Sequence, residues 1–366
     1  MNISYNIPFY VKVSAIFFCV SFIVFTFYLG QQILLPVVFA TLIAILLNPL
    51  VDFLISRKTG KILSILIVVF LSTVIVISIL YMVSSQITML KETFPQLKDK
   101  FSIIRIHFVT WLADKFNVSS SSINDWINKT EDHAIQNFSI EDKLTAAVQL
   151  MLEVVLLPVY VFLILFYKTL LLDFILKLFR SHHHPAVTEV LMSTKKIIQS
   201  YLVGLFIEMV IVATLNSVGL FILNIDYALI LGIVGAIINV IPYIGGIVAI
   251  ALPMIIAFVT KDSITSTILV FLVYILIQFI DNHYLIPRIV ASRVRINALV
   301  AIIVVLIGNA VCGVAGMFLS IPVTAIIKVI FDHITPLKPW GFLLGNTVPT
   351  ASRLTFIQRK RKSTLL

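Results

Sequence analysis

Two carboxylic acids stand in stretches that are otherwise apolar: Glu208, well inside the run from Tyr201 to Leu223, and Asp281, at the end of the run from Ile264 to Ile280 with Asn282 beside it. An ionisable group at membrane depth is costly unless it faces water, a cavity or a partner. Each of these positions is therefore a candidate to carry a proton or hold a cation in a coupling cycle. The competing reading is a carboxyl that only hydrogen-bonds a neighbouring helix, and Glu153 is a weaker third acid. Two amides, Asn239 and Asn309, also lie in apolar surroundings, where an amide must find partners. They are candidates for contacts to a solute or a gate.

Around the first amide the chain reads Asn239-Val240-Ile241-Pro242-Tyr243-Ile244-Gly245-Gly246, set between the apolar runs Ala228 to Ile238 and Ile247 to Val259. About 13 helical residues cover roughly 20 Å, whereas the hydrocarbon core of a bilayer needs about 30 Å. The spacing predicts a pair of half-helices joined inside the membrane. Backbone freed by Pro242, Gly245 and Gly246 is tolerated there only where protein buries it or water lines it. Tyr243 and its neighbours are accordingly expected to line a path.

A second copy follows about 70 residues later, from Ala298 to Ile330, in which Asn309 and Gly316 answer Asn239 and Gly246, and Pro322 falls one residue out of register with Pro253. One apolar run of spanning length separates the copies, so the number of crossings between them is odd. They then enter from opposite sides, an inverted repeat of broken helices. Ordinary tight hairpins with proline kinks are the plainer alternative. Small residues at helical spacing, such as Gly232 with Ala236 and Gly308 with Cys312, read first as packing stripes.

The elements that must position these residues follow from composition. Apolar residues make up 60% of the 366 and charged ones 12%, which excludes a soluble domain and indicates an all-α polytopic membrane protein. The net charge of +10 speaks to orientation and to anionic lipid rather than to nucleic acid. Cys19 and Cys312 lie in apolar segments without metal or redox spacing, and three consecutive histidines at 182–184 cannot converge from a regular helix. No HExxH, GxSxG or GxxxxGK[ST] motif occurs, so neither an enzyme nor a cofactor is expected.

About six full transmembrane helices are expected, with two inverted broken-helix hairpins at 228–259 and 298–330 and an extracytoplasmic helical segment. Residues 1–83 hold the N-terminal helices, read as separate spans from Val13 to Leu29, Ile33 to Leu54 and Ile62 to Val83. Residues 84–145 form an amphipathic extracytoplasmic region, with apolar residues from Leu97 to Phe116 at helical spacing and Ser122 with Asp125 as a capping box. Residues 146–200 supply a span and a cytoplasmic linker helix, 201–332 a transport core, and 333–366 a basic tail suited to anionic headgroups. Basic residues at 57–61, at 288–295 and in the tail place those segments and both termini in the cytoplasm.

Three blocks together resemble a known family: residues 239–246, Asp281-Asn282 with Ile286-Pro287-Arg288, and the stretch from Gly313 to Pro322. Leu47-Asn48-Pro49-Leu50 is similar too. Their order and spacing resemble the autoinducer-2 exporter (AI-2E) family of bacterial membrane transporters, from about Val13 to Asp332. The resemblance implies an inner-membrane permease that exports small molecules such as autoinducer-2, some relatives being cation/proton antiporters. It also implies a homo-oligomer such as a pentamer, and it adds Gly313 and Pro322 to the path residues. Val203 stands where the family often has a basic residue, and Ile296-Asn297-Ala298 replaces a Leu-His-Pro-like turn, so a substrate does not transfer with the fold. A membrane scaffold that holds envelope partners is the reading from outside the transporter class.

Overall fold

The computed structural model describes residues 8–81, 110, 155–242, 244–261, 263–291, 294 and 296–346. The expected extracytoplasmic helices, the basic tail beyond 346, Glu153 and Tyr243 lie outside the described residues. Within them the chain is all-α, with one isolated bridge between Ile296 and Gly345. Among the described residues five helices are long and apolar enough to cross a bilayer, six if a bent pair counts as one span; one of the five, Ala298–His333, is broken near its middle, and two shorter apolar helices form a broken unit. This is the polytopic membrane architecture expected from composition.

The first helix corrects the sequence reading. α1 runs unbroken from Phe9 to Ser56, 48 residues, so the two expected spans at 13–29 and 33–54 are one helix. The junction Gly30-Gln31-Gln32 does not stop it, because a single glycine costs a helix only about 1 kcal/mol and glutamine is a good helix former. The helix also passes through Pro36 and Pro49. Placing the N-terminus in the cytoplasm rested on two crossings before the basic turn at 57–61, and that support is lost.

The C-terminal half of α1 turns Ala40, Ala44, Leu47 and Val51 towards Ile65, Val68 and Val69 of α2 (Lys61–Tyr81) and Val161 and Leu165 of α3 (Val155–Phe166). Their spacing of three and four residues is one helical face. Buried Asn48 donates to Asp52 (2.6 Å) and accepts from Lys168 (2.8 Å), while the Lys61 ammonium donates to the Phe166 carbonyl (2.9 Å). These bonds hold the point where α3 bends by 62° into α4 (Lys168–Lys177).

After a short 3₁₀ turn at Ser181–His183, α5 runs 39 residues from His184 to Ile222. The linker and the next span are thus one helix, and the boundary placed between 200 and 201 falls inside it. A turn with left-handed Asn224 and Tyr227 leads to α6 (Ala228–Asn239), and a four-residue break to α7 (Ile244–Lys261). Pro242 lies in that break, but Gly245 and Gly246 already belong to the first turn of α7. α8 (Ile264–Ile280) continues into a wide π-helical segment, Asp281–Ala291, that contains Pro287. Asp281 therefore sits within a continuous apolar helix, Ile264–Val290, rather than at the end of a span.

α9 (Ala298–His333) is two limbs, because Cys312 and Gly313 leave helical geometry, Gly313 at φ +58°. A Cβ on Gly316 would fall on the Gly308 carbonyl group, whose carbon is 2.7 Å from it. Residues eight apart in one straight helix are about 12 Å apart, so the chain doubles back here. Asn297 caps the first limb by accepting from the Val300 amide (2.8 Å) and donates to the Leu343 carbonyl (2.7 Å) of α10 (Lys338–Leu344). Phe318 of the second limb stacks on Phe39 of α1 at 5.7 Å, joining the hairpin to the N-terminal helices.

Candidate functional site

α5 turns Tyr201, Gly204, Glu208, Val212 and Asn216 inward, again at spacings of three and four residues, which carries Glu208 to a position only 3% exposed. Gly204 lets the π-helical segment approach, since a Cβ there would meet the Ile289 carbonyl oxygen at 2.7 Å. That contact draws the segment against α5 and brings Asp281, 1% exposed, into the same interior. Gln278 lies three residues before Asp281 on the same face.

Asn239, the last residue of α6, joins these groups. Its amide donates to Asp281 Oδ2 (2.9 Å) and, at longer range, to Glu208 Oε1 (3.4 Å), while its oxygen accepts from Gln278 Nε2 (2.8 Å). One side chain at the break of the first hairpin thus ties that hairpin to both α5 and α8. Among the described residues Asp281 Oδ1 is buried with no donor on it, and the Asp281 and Glu208 carboxyls lie close enough to share a hydrogen bond when one is protonated. The network forms the polar wall of a cavity of about 490 Å³, otherwise walled largely by apolar groups such as Leu205, Ile286, Val290 and Val305.

The cavity's electrostatics follow from its lining. Two acids, the C-terminal end of a half-helix and three side-chain amides meet there, and none of the described lining residues is basic. Such a wall accepts hydrogen bonds and favours cations or neutral donors over anions. Among the described residues no three metal-type ligands converge.

The structure gathers Glu208, Asn239, Pro242, Gly246, Asp281 and Asn282 on this cavity. Gly245 sits behind it, where a Cβ would strike the Ile238 carbonyl and approach Asn239 Cα at 2.8 Å. The second set is placed differently: Asn309 and Gly313 are exposed near the tip of the second hairpin, Gly316 is used against Gly308, and Pro322 is fully buried next to cavity-lining Ile321. Sequence reasoning passed over Gln278, Gly204 and Tyr201. Gln278 had a legible signal, an amide in an apolar run one turn from an acid. Gly204 had none, because its reason is a backbone brought close by another element.

Comparison with known proteins agrees with this architecture. Residues 17–336 match the model of the AI-2E family transporters. The chain is 27% identical over 341 residues to a transport protein of Bacillus subtilis, YueF, covering 89% of each chain. It is 24% identical over 361 residues to a transport protein of Borreliella burgdorferi, covering 96% of each, and 23% identical over 305 residues to the AI-2 transport protein TqsA of Escherichia coli, covering 83% of this chain and 87% of that one. With the family model covering most of the chain, and multiple apolar spans built around a polar cavity, this protein belongs to the AI-2E family and is a multi-pass membrane transporter.

Proposed function

We propose that the protein exports a small, polar, uncharged organic molecule of the autoinducer-2 kind across a bacterial inner membrane, by rocking or sliding the first hairpin against the helices that hold Glu208 and Asp281. The observation that carries this reading is the cavity of about 490 Å³ with a single polar wall, a size that suits a small solute. Apolar walls exclude water, while the acids and amides accept the hydroxyls of a neutral solute and repel anions. Asn239 is the latch, since the first hairpin cannot leave α5 and α8 without breaking its hydrogen bonds. Untargeted profiling of medium and cytosol from cells with and without the protein, followed by uptake of the enriched compound into proteoliposomes, tests the reading. An unchanged small-molecule profile in both compartments overturns it.

Cation/proton antiport is favoured as a second reading by one feature, two acids sharing one amide with no donor on Asp281 Oδ1 among the described residues. Under it, Glu208→Gln or Asp281→Asn flattens the pH dependence of transport while folded protein remains in the membrane. An unchanged pH profile in both variants removes that reading. The homo-oligomer, a pentamer, belongs to the same proposal. Native mass spectrometry in detergent reads the copy number. Cysteines introduced near Lys261 and near Arg293 label from outside and inside respectively if the hairpins are inverted, and labelling of both from one side overturns the inversion.

A further inference from the structure

The cavity uses only one stretch of the seam between α5, α6 and α8. Two turns along α5 from Glu208 lies Asn216, one turn back along α6 from Asn239 lies Gly235, and one turn back along α8 from Gln278 lies Tyr274. α5 runs antiparallel to α6 and α8, so all three steps lead the same way, away from the cavity-lining residues Val294 and Ile296. Asn216 is 2% exposed and Tyr274 1%, and both carry a buried polar atom without a partner among the described residues, Asn216 Oδ1 and Tyr274 Oη. They face one gap. An atom at the Cβ position of Gly235 would stand 3.3 Å from the Asn216 amide nitrogen, 3.5 Å from Tyr274 Oη and 3.7 Å from Ala249 Cβ.

Leaving a carbonyl and a phenol unpaired in an apolar interior is expensive, and buried polar groups are paired by protein or by ordered water. This gap offers a water polar neighbours from two helices, beside a position where glycine carries no Cβ. The three nearest atoms, an amide nitrogen, a phenol oxygen and a methyl carbon, carry no formal charge, so its chemistry is that of a neutral hydroxyl and not of an ion. Beyond it the seam is closed by Leu220, Leu231, Ile256 and Val270.

We propose that Asn216, Gly235 and Tyr274 form a built water site that extends the polar path from the carboxyl cavity towards the closed end of the α5–α6–α8 seam. Its role as the next station for a hydroxyl-bearing solute rests on the transporter reading, but its occupancy by water does not. Radiolytic hydroxyl-radical labelling of the detergent-purified full chain in ¹⁸O-water, read by mass spectrometry, tests occupancy without any transport assay. Tyr274 is expected to take up label, after correction for intrinsic reactivity, about fivefold faster than its equally buried neighbours Leu220 and Ile256. Gly235→Ala, which places a methyl group in the gap, and Asn216→Leu, which removes a partner, are each expected to bring Tyr274 down to the rate of those neighbours. Tyr274→Phe gives an independent readout: if the hydroxyl holds a water, its removal leaves the melting temperature unchanged or lowers it. Background labelling of Tyr274 in the unaltered chain, labelling that survives both gap variants, or a Tyr274→Phe chain that melts higher because an orphaned hydroxyl is gone, overturns the proposal.

Discussion

The two hairpins share a sequence pattern and differ in what they do with it. In the first, α6 and α7 are joined by four residues, and Asn239 at the break binds two acids and an amide. In the second, the reversal takes only Cys312 and Gly313, and Asn309 is exposed without a side-chain hydrogen bond among the described residues. The second hairpin gives the cavity only apolar wall, through Ala301, Val305 and Ile321. What both copies keep is the close crossing of their limbs, at Ile238 with Gly245 in one and at Gly308 with Gly316 in the other. The repeat preserves a way of turning the backbone inside the membrane, and the chemistry has been placed in one copy.

The largest effects should come from that shared feature. In Gly316→Ala the new methyl lands on the Gly308 carbonyl, and in Gly245→Ala on the Ile238 carbonyl, backbone atoms that cannot swing aside. Each change is expected to reach or exceed the upper end of the roughly 1–3 kcal/mol that overpacking costs. Yield and melting temperature of the purified variants measure it. Wild-type melting of both would mean that the limbs do not cross as closely as described, and the common element of the two hairpins would be gone.

The amides should separate the copies. Asn239→Leu strips the hydrogen-bond donor from Asp281 and Glu208, and an unsatisfied buried polar group costs about 1–3 kcal/mol, so both stability and transport should fall. Asn309→Leu, at an exposed site, should stay within about 0.5 kcal/mol of wild type. Paired melting curves decide the point, and equal losses in the two variants would restore the symmetry that the sequence suggested.

Why some of this was legible and some was not has a physical basis. Proline and glycine between half-length apolar runs announce a break because they change what the backbone can do locally. Glu208 and Asp281 announce themselves because charge in an apolar run is costly wherever it ends up. Asn309 misleads because its exposure depends on how the second hairpin packs, which a local pattern does not contain. α1 misleads for the opposite reason: Gly30 looks like a boundary between two spans, yet its local cost is too small to stop a helix flanked by strong helix formers. The apolar run was read to its observed end at Ile280, but not its continuation: a π-helical segment can carry Pro287 onward where an α-helix would be disrupted, so Asp281 lies inside the helix that it was expected to end.

A small expected change in stability is also the sharpest test of the latch. Gly246 aligns with Gly316 in the repeat, yet the structure gives it a different neighbour: the three atoms nearest a Cβ there all belong to the Gln278 side chain, with Nε2 at 2.9 Å and Oε1 at 3.2 Å. A flexible side chain can move away, so Gly246→Ala should cost well under the roughly 1–3 kcal/mol of a backbone clash. The movement has a consequence at the site, because Gln278 is the group that donates to the Asn239 oxygen. Displacing it leaves Asn239 free to turn about its side-chain torsions and loosens its grip on Asp281 and Glu208. Gly246→Ala should therefore melt near the wild-type temperature and still transport about tenfold more slowly, a loss worth about 1.4 kcal/mol of barrier. Gly246→Ala combined with Gln278→Ala should be no slower than Gln278→Ala alone, since the methyl then has nothing to displace. A Gly246→Ala protein as fast as wild type would show that the first hairpin moves without regard to Gln278, and the latch would reduce to Asn239 and the two acids.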